Sequence, residues 1–183
     1  MNRLKGISPS DIFDIAFNTE ERAYLEKLAK SSRLRDCKLC IRYLETGLRV
    51  RRNQKFALTI ADQLVLNNKV RYEALGIFEQ LLESDHEKVW PFVVKYGSHP
   101  NSHIRGALAA LVLEVLLGTH HNQYFPRVKN IVLSGDRRFL DTLTRCWPFG
   151  QSVRHWHTLV RLIRKAGGEM SRVYQSDKYP LPG

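Results

Sequence analysis

Cys37 and Cys40, in Cys37-Lys38-Leu39-Cys40, are the first residues of this 183-residue chain whose spacing invites chemistry. On a helix that spacing sets the two sulfurs one turn apart on a single face. Zinc needs four ligands, and neither a second such pair nor a histidine pair completes a set. A redox pair needs a strand–helix setting, which the flanking residues do not provide. Core thiols are therefore the expected role. Among the histidines, His155 and His157 are two apart and diverge on a helix. His120 and His121 follow Gly118, and His99 and His103 flank Pro100-Asn101, so all four read as polar turn residues. No metal or other cofactor is expected. Glu114 interrupts the most apolar stretch of the chain, where a carboxylate must be exposed or paired with an arginine such as Arg71 or Arg145. A general acid needs a second group in reach, and no Walker loop, nucleophile elbow or zinc-protease helix accompanies it, so no catalytic residue is assigned.

The last strongly periodic segment carries a different chemistry. Arg154, His157, Arg161, Arg164 and Lys165 recur every three or four residues, opposite an apolar stripe of Val153, Trp156, Leu159, Val160 and Ile163. Such a stripe can neutralise successive phosphates and release their counterions. Arg137, Arg138 and Arg145 in the preceding segment extend it. A solvated helix face is the plainer reading of the same residues. The charge balance suits an anionic partner: the net charge is +11, distributed as +6 over residues 1–55, −2 over 56–126 and +7 over 127–183. No base-reading motif accompanies the stripe, so any nucleic acid would be met through its backbone.

Helix signals dominate the elements that must hold these residues. Ser8-Pro9-Ser10-Asp11 and Asn18-Thr19-Glu20-Glu21 read as N-terminal caps, and Ser84-Asp85-His86-Glu87 as a capping box. A helix from about Ser32 to Gly47 is expected to bury Leu34, Leu39, Ile41 and Leu44. About ten helices and no strand follow, an all-α chain. Three cysteines and the absence of a secretory signal point to a reducing, cytoplasmic setting. The longest apolar run, Ala107 to Leu113, is far short of a membrane span, so no membrane partner is expected. The length suits one domain over residues 1–168, with a tail over 169–183 expected to be extended.

One segment recurs at about 34 residues. It reads Asn67-Asn68-Lys69-Val70-Arg71-Tyr72-Glu73-Ala74-Leu75, then Asn101-Ser102-His103-Ile104-Arg105-Gly106-Ala107-Leu108, and more faintly Asp136-Arg137-Arg138-Phe139-Leu140-Asp141-Thr142-Leu143. It resembles the second helix of a HEAT repeat, where a small acid or amide precedes a Val-Arg pair and then Ala and Leu. Asn67 with Val70, Arg71 and Ala74, and Asn101 with Ile104, Arg105 and Ala107, carry that likeness. The third copy departs from it, with Phe139-Leu140 in place of the Val-Arg pair.

The resemblance covers about residues 53–147. It implies a right-handed α-solenoid of stacked antiparallel helix pairs of HEAT or ARM type, with residues 1–50 as divergent capping helices and 152–166 as a basic last helix. It further implies that Arg71 and Arg105 bond toward the turns between repeats. Of the catalytic branches of that superfamily, the di-iron hydroxylases need several His-Glu pairs, and only His86-Glu87 is present. The DNA-alkylation-repair glycosylases use a basic concave face, but no catalytic acid maps onto this chain. A binding or scaffold module is thus the expected function, taking a partner protein on its concave surface through Tyr72, Glu73, His103, Arg137 and Arg138. The alternative is nucleic-acid binding through Arg145, Arg154, His157, Arg161, Arg164 and Lys165. No small-molecule substrate is indicated.

Overall fold

A computed structural model describes residues 4, 6, 8, 9, 16–148 and 150–170. Among these residues the chain is helical, with no strand. In order, the helices are α1 (Thr19–Ala29), α2 (Leu34–Gly47), α3 (Arg51–Leu64), α4 (Arg71–Gly97), α5 (Ser102–Thr119), α6 (His121–Leu133), α7 (Arg137–Leu143) and α8 (Val153–Lys165). That makes eight among the described residues, against the ten expected. One of the two missing helices, that of Ser8-Pro9-Ser10-Asp11, falls mostly outside the described residues. The other is merged: α4 joins two expected helices across Asp85, whose φ of −156° and ψ of 53° are not helical. The break coincides with the expected capping box, and the Asp85 carboxylate pairs with Lys88 one turn on. The start signal is therefore obeyed, but as a kink rather than a loop. The expected tail lies mainly in residues 171–183, outside the described set.

The chain divides into two compact units, Met1–Val89 and Trp90–Gly183. In the first, α1, α2 and α3 pack on one another around Leu25, Leu44, Ile60 and Leu64. Asn18 and Glu21 form the anticipated reciprocal cap at the start of α1. Asn53 is fully buried and joins three segments: its Oδ1 accepts from the Phe17 N–H at 2.8 Å, and its Nδ2 donates to the Gly47 carbonyl at 3.1 Å. The inward face of α2 is Cys37, Cys40, Ile41, Tyr43 and Leu44. Leu34, expected inside, is exposed because it opens the helix, ahead of the buried stripe.

In the second unit, Trp156, Tyr96, Tyr124 and Phe139 are the largest buried side chains. The end of α4 meets α7 at Gly97, where a Cβ would lie 2.5 Å from the Phe139 ring. The Thr142 hydroxyl donates to the Gly97 carbonyl at 2.6 Å in the same contact. Asp136 caps α7 through the Phe139 N–H and accepts from the Ser98 hydroxyl at 2.5 Å. α6 packs against α5, α7 and α8. α5 carries a π-helical turn at Ala109–Leu113 and resumes at Glu114. By length and composition α5 is apolar enough to cross a membrane, and half of it is buried inside the fold.

Candidate anion-binding surface

The repeated arginines are buried and committed to backbone. Arg71 Nε donates to the Val65 carbonyl at 3.1 Å, and Arg105 Nη1 donates to the His99 carbonyl at 2.6 Å and the Pro100 carbonyl at 2.9 Å. Both reach back to a carbonyl six positions earlier, so the two copies perform the same local task. Arg105 also pairs with Asp141 on α7 through Nε and Nη2, at 2.9 and 2.6 Å. Asp141 takes a second guanidinium from Arg145 at 3.0 Å, and these arginines hold its carboxyl below the usual range against the opposing effect of burial. In the third copy, Leu140 stands at the position of the arginine, and Phe139 before it packs on Gly97.

Glu114 departs from both expectations. It is buried, and its carboxylate accepts the Trp147 N–H at 2.7 Å, while the arginines proposed for it bond elsewhere. Burial pushes its carboxyl up to about 7, opposed by that hydrogen bond. The neighbouring Cys146 thiol is enclosed and raised further by burial and by the Glu114 charge. Cys37 and Cys40 are likewise buried, donating to the Ser31 and Leu25 carbonyls at 3.3 Å, and burial pushes Cys40 up to about 12. Such thiols are poor nucleophiles. No group of three or more metal-binding side chains occurs among the described residues.

The residues assigned to a partner surface divide between the units. Tyr72 and Glu73 lie in the first, where Tyr72 is exposed and Glu73 pairs with Lys38 at 3.2 Å. His103, Arg137 and Arg138 lie in the second and are exposed, with Arg137 Nη1 donating to the Ala166 carbonyl at 2.8 Å.

α8 contrasts sharply between its two faces. Trp156, Leu159, Val160, Leu162 and Ile163 are buried, while Arg154, Arg161, Arg164 and Lys165 are exposed and His157 is half-buried. Val153, expected inside, is exposed at the first helical position. Ser152 caps the helix through the His155 N–H, and no acid occurs in its 13 residues. Among the described residues, Arg154, Arg161 and Lys165 form no ion pair. Arg145 belongs to the Asp141 network and is thereby separated in role from this stripe.

Sequence reasoning missed a pairing of two histidines. His121, first in α6, and His155 on α8 stack with ring centroids 3.8 Å apart and planes within 1°, and Phe125 stacks on His121 at 4.8 Å. Burial lowers the His121 imidazole from its usual value, as does the neighbouring His155, while the Leu117 carbonyl favours its charged form. Its Nδ1 is buried with no hydrogen-bond partner. The rings border an open cleft of about 430 Å³ lined also by Asn122, Phe125, Arg154 and Thr158. The one sequence signal was their separation, which equals the 34 positions between Arg71 and Arg105. Comparison with family models, with curated proteins and with solved structures finds no match to this chain.

Proposed function

We propose that the chain is a nucleic-acid-binding protein that holds the phosphate backbone against the exposed face of α8. The observation that carries this reading is the pairing of a fully buried apolar face with an outer face bearing four cations and no acid. The buried face fixes the helix, so the cations are held in register instead of hanging from a mobile tail. The second unit as a whole has 13 Lys and Arg against 5 Asp and Glu, a net +8 of the chain's +11. Exposed guanidinium groups such as those of Arg154 and Arg161 suit phosphate, since each can give two parallel N–H donors. The contact is with backbone and carries little sequence preference.

A fluorescence-polarisation titration with labelled duplex DNA and single-stranded RNA tests the reading. Binding is expected at about 50 mM salt, with steep release by about 200 mM. The R161E/R164E double variant should bind at least about tenfold more weakly with unchanged helicity. No binding of either probe at low salt, or equal binding by the variant, sinks the proposal.

A second reading takes the helices as HEAT-type stacked pairs in a right-handed solenoid that receive a partner protein. Its support is the shared backbone task of Arg71 and Arg105, together with Leu66 and Tyr72, which stand 57% and 59% exposed in the first unit. Large apolar side chains that remain in water favour protein contact. Crosslinking through a photoreactive residue at position 72 checks it: recovery of no protein adduct from cells would remove this support.

A further inference from the structure

We infer that the cleft between α6 and α8 is a site for a phosphate monoester, held by Arg154 and by the His121–His155 pair. This rests on the nucleic-acid reading only for the source of the phosphate, a strand end or a free ion. Three separate features favour an anion there. The side chains lining the cleft include the Arg154 guanidinium and two imidazoles, with no carboxylate among them. α6 begins at His121, and His120 supplies it no side-chain cap, so the positive end of a 13-residue helix opens on the same place. His121 is more than nine-tenths buried and locked against His155 by the stack, which fixes the two imidazoles at the border of the cleft.

The stack then selects the kind of anion. Parallel imidazoles 3.8 Å apart resist carrying two charges, and Arg154 adds a third positive group to the same cleft. Just before α6 the neighbouring titratable group is His120, and the adjoining end of α5 contributes only Gly118 and Thr119. No carboxylate lines the cleft to offset that charge; a dianion would supply the offset. A phosphate monoester becomes a dianion near pH 6, close to where an imidazole takes its proton. Phosphodiesters carry one charge only and gain less. Binding should therefore follow a bell-shaped profile with its maximum near pH 6, whereas an arginine-only site would level off above pH 7. The cleft volume of about 430 Å³ admits a phosphate with a sugar attached.

The test uses the full chain and two probes. Inorganic phosphate is titrated while the histidine ring protons are followed by NMR. In parallel, polarisation compares one oligonucleotide bearing a 5′-phosphate with the same strand ending in a 5′-hydroxyl. Phosphate should raise the His121 titration midpoint by about one unit. The 5′-phosphorylated strand should bind about tenfold more tightly than its 5′-hydroxyl counterpart at pH 6, an advantage that fades by pH 8. A response to both probes identifies a strand end, and a response to inorganic phosphate alone identifies a free ion; each supports the site. No ring-proton shift together with equal binding of the two strands overturns it. R154A and H155F should each abolish the response, the phenylalanine preserving a flat ring against His121. If H155F unfolds, R154A at an exposed position decides alone, and an undiminished response in R154A overturns the site. If neither phosphate probe responds while the 5′-hydroxyl strand still binds through α8, only this inference falls. If phosphate moves His121 and no strand binds, the α8 reading falls instead.

Discussion

Arg105 shows how a cation can be present in a basic protein and yet be withdrawn from any partner. Its guanidinium joins two turn carbonyls to a carboxylate on another helix, so its removal leaves three acceptors short of a donor. R105A should cost about 3 kcal/mol in urea unfolding, and R105K should recover little of it because an ammonium cannot reproduce the fork. R71A, which loses one described hydrogen bond, should cost about 1 kcal/mol. Equal, small losses from both would refute this division. Glu114 makes a pH-dependent contribution whose sign is fixed. Its folded carboxyl is raised to about 7 from an ordinary 4.5, so between those values the folded state holds the extra proton, and stability falls as pH rises through that window. E114Q should therefore be more stable than the native chain at pH 8, by about 2 kcal/mol, and match it near pH 4. A destabilised E114Q at pH 8 would show that the ionised form is the one the fold prefers. The sequence revealed that Glu114 was anomalous. It could not reveal the remedy, because the partner is a backbone N–H, which every residue but proline possesses.

At the scale of elements, Gly97 and Phe139 set how closely α4 approaches α7. A methyl at position 97 would meet the Phe139 ring at 2.5 Å, so G97A should destabilise the second unit by about 2 kcal/mol. The smaller ring-free side chain of F139L should restore part of that loss when combined with it; a double variant no more stable than G97A alone would argue that the clash is not the cause. The packing duty of Gly97 was not legible in the sequence, since Phe139 lies 42 positions away. The cap at Asn18 was legible because capping is local, decided within three or four residues. The histidine stack escaped notice for the opposite reason: it joins α6 to α8, and neither helix alone announces the other.

For the whole molecule, charge is the property that sequence counting captured best and placed worst. The basic ends are real in the sequence, but in the second unit Arg105 and Arg145 belong to Asp141 and Arg137 to a carbonyl, while α8 keeps Arg154, Arg161 and Lys165 exposed and outside any described ion pair. If its four cations each displace one counterion, a plot of log affinity against log salt should have a slope of about −3 to −4 for duplex DNA. A slope near zero would place binding elsewhere than on phosphate. The all-helical class was legible because helical period, caps and stops agree along the chain; their three-dimensional arrangement depends on contacts that no short window contains.

The three cysteines, finally, bear on measurement. Cys37 and Cys40 sit in the first unit and Cys146 in the second, all buried and none joined in a disulfide. Each unit thus carries its own alkylation clock. Reagent trapping followed by mass spectrometry would time the opening of the two units separately, without introducing a label, and report whether the chain comes apart in one step or two.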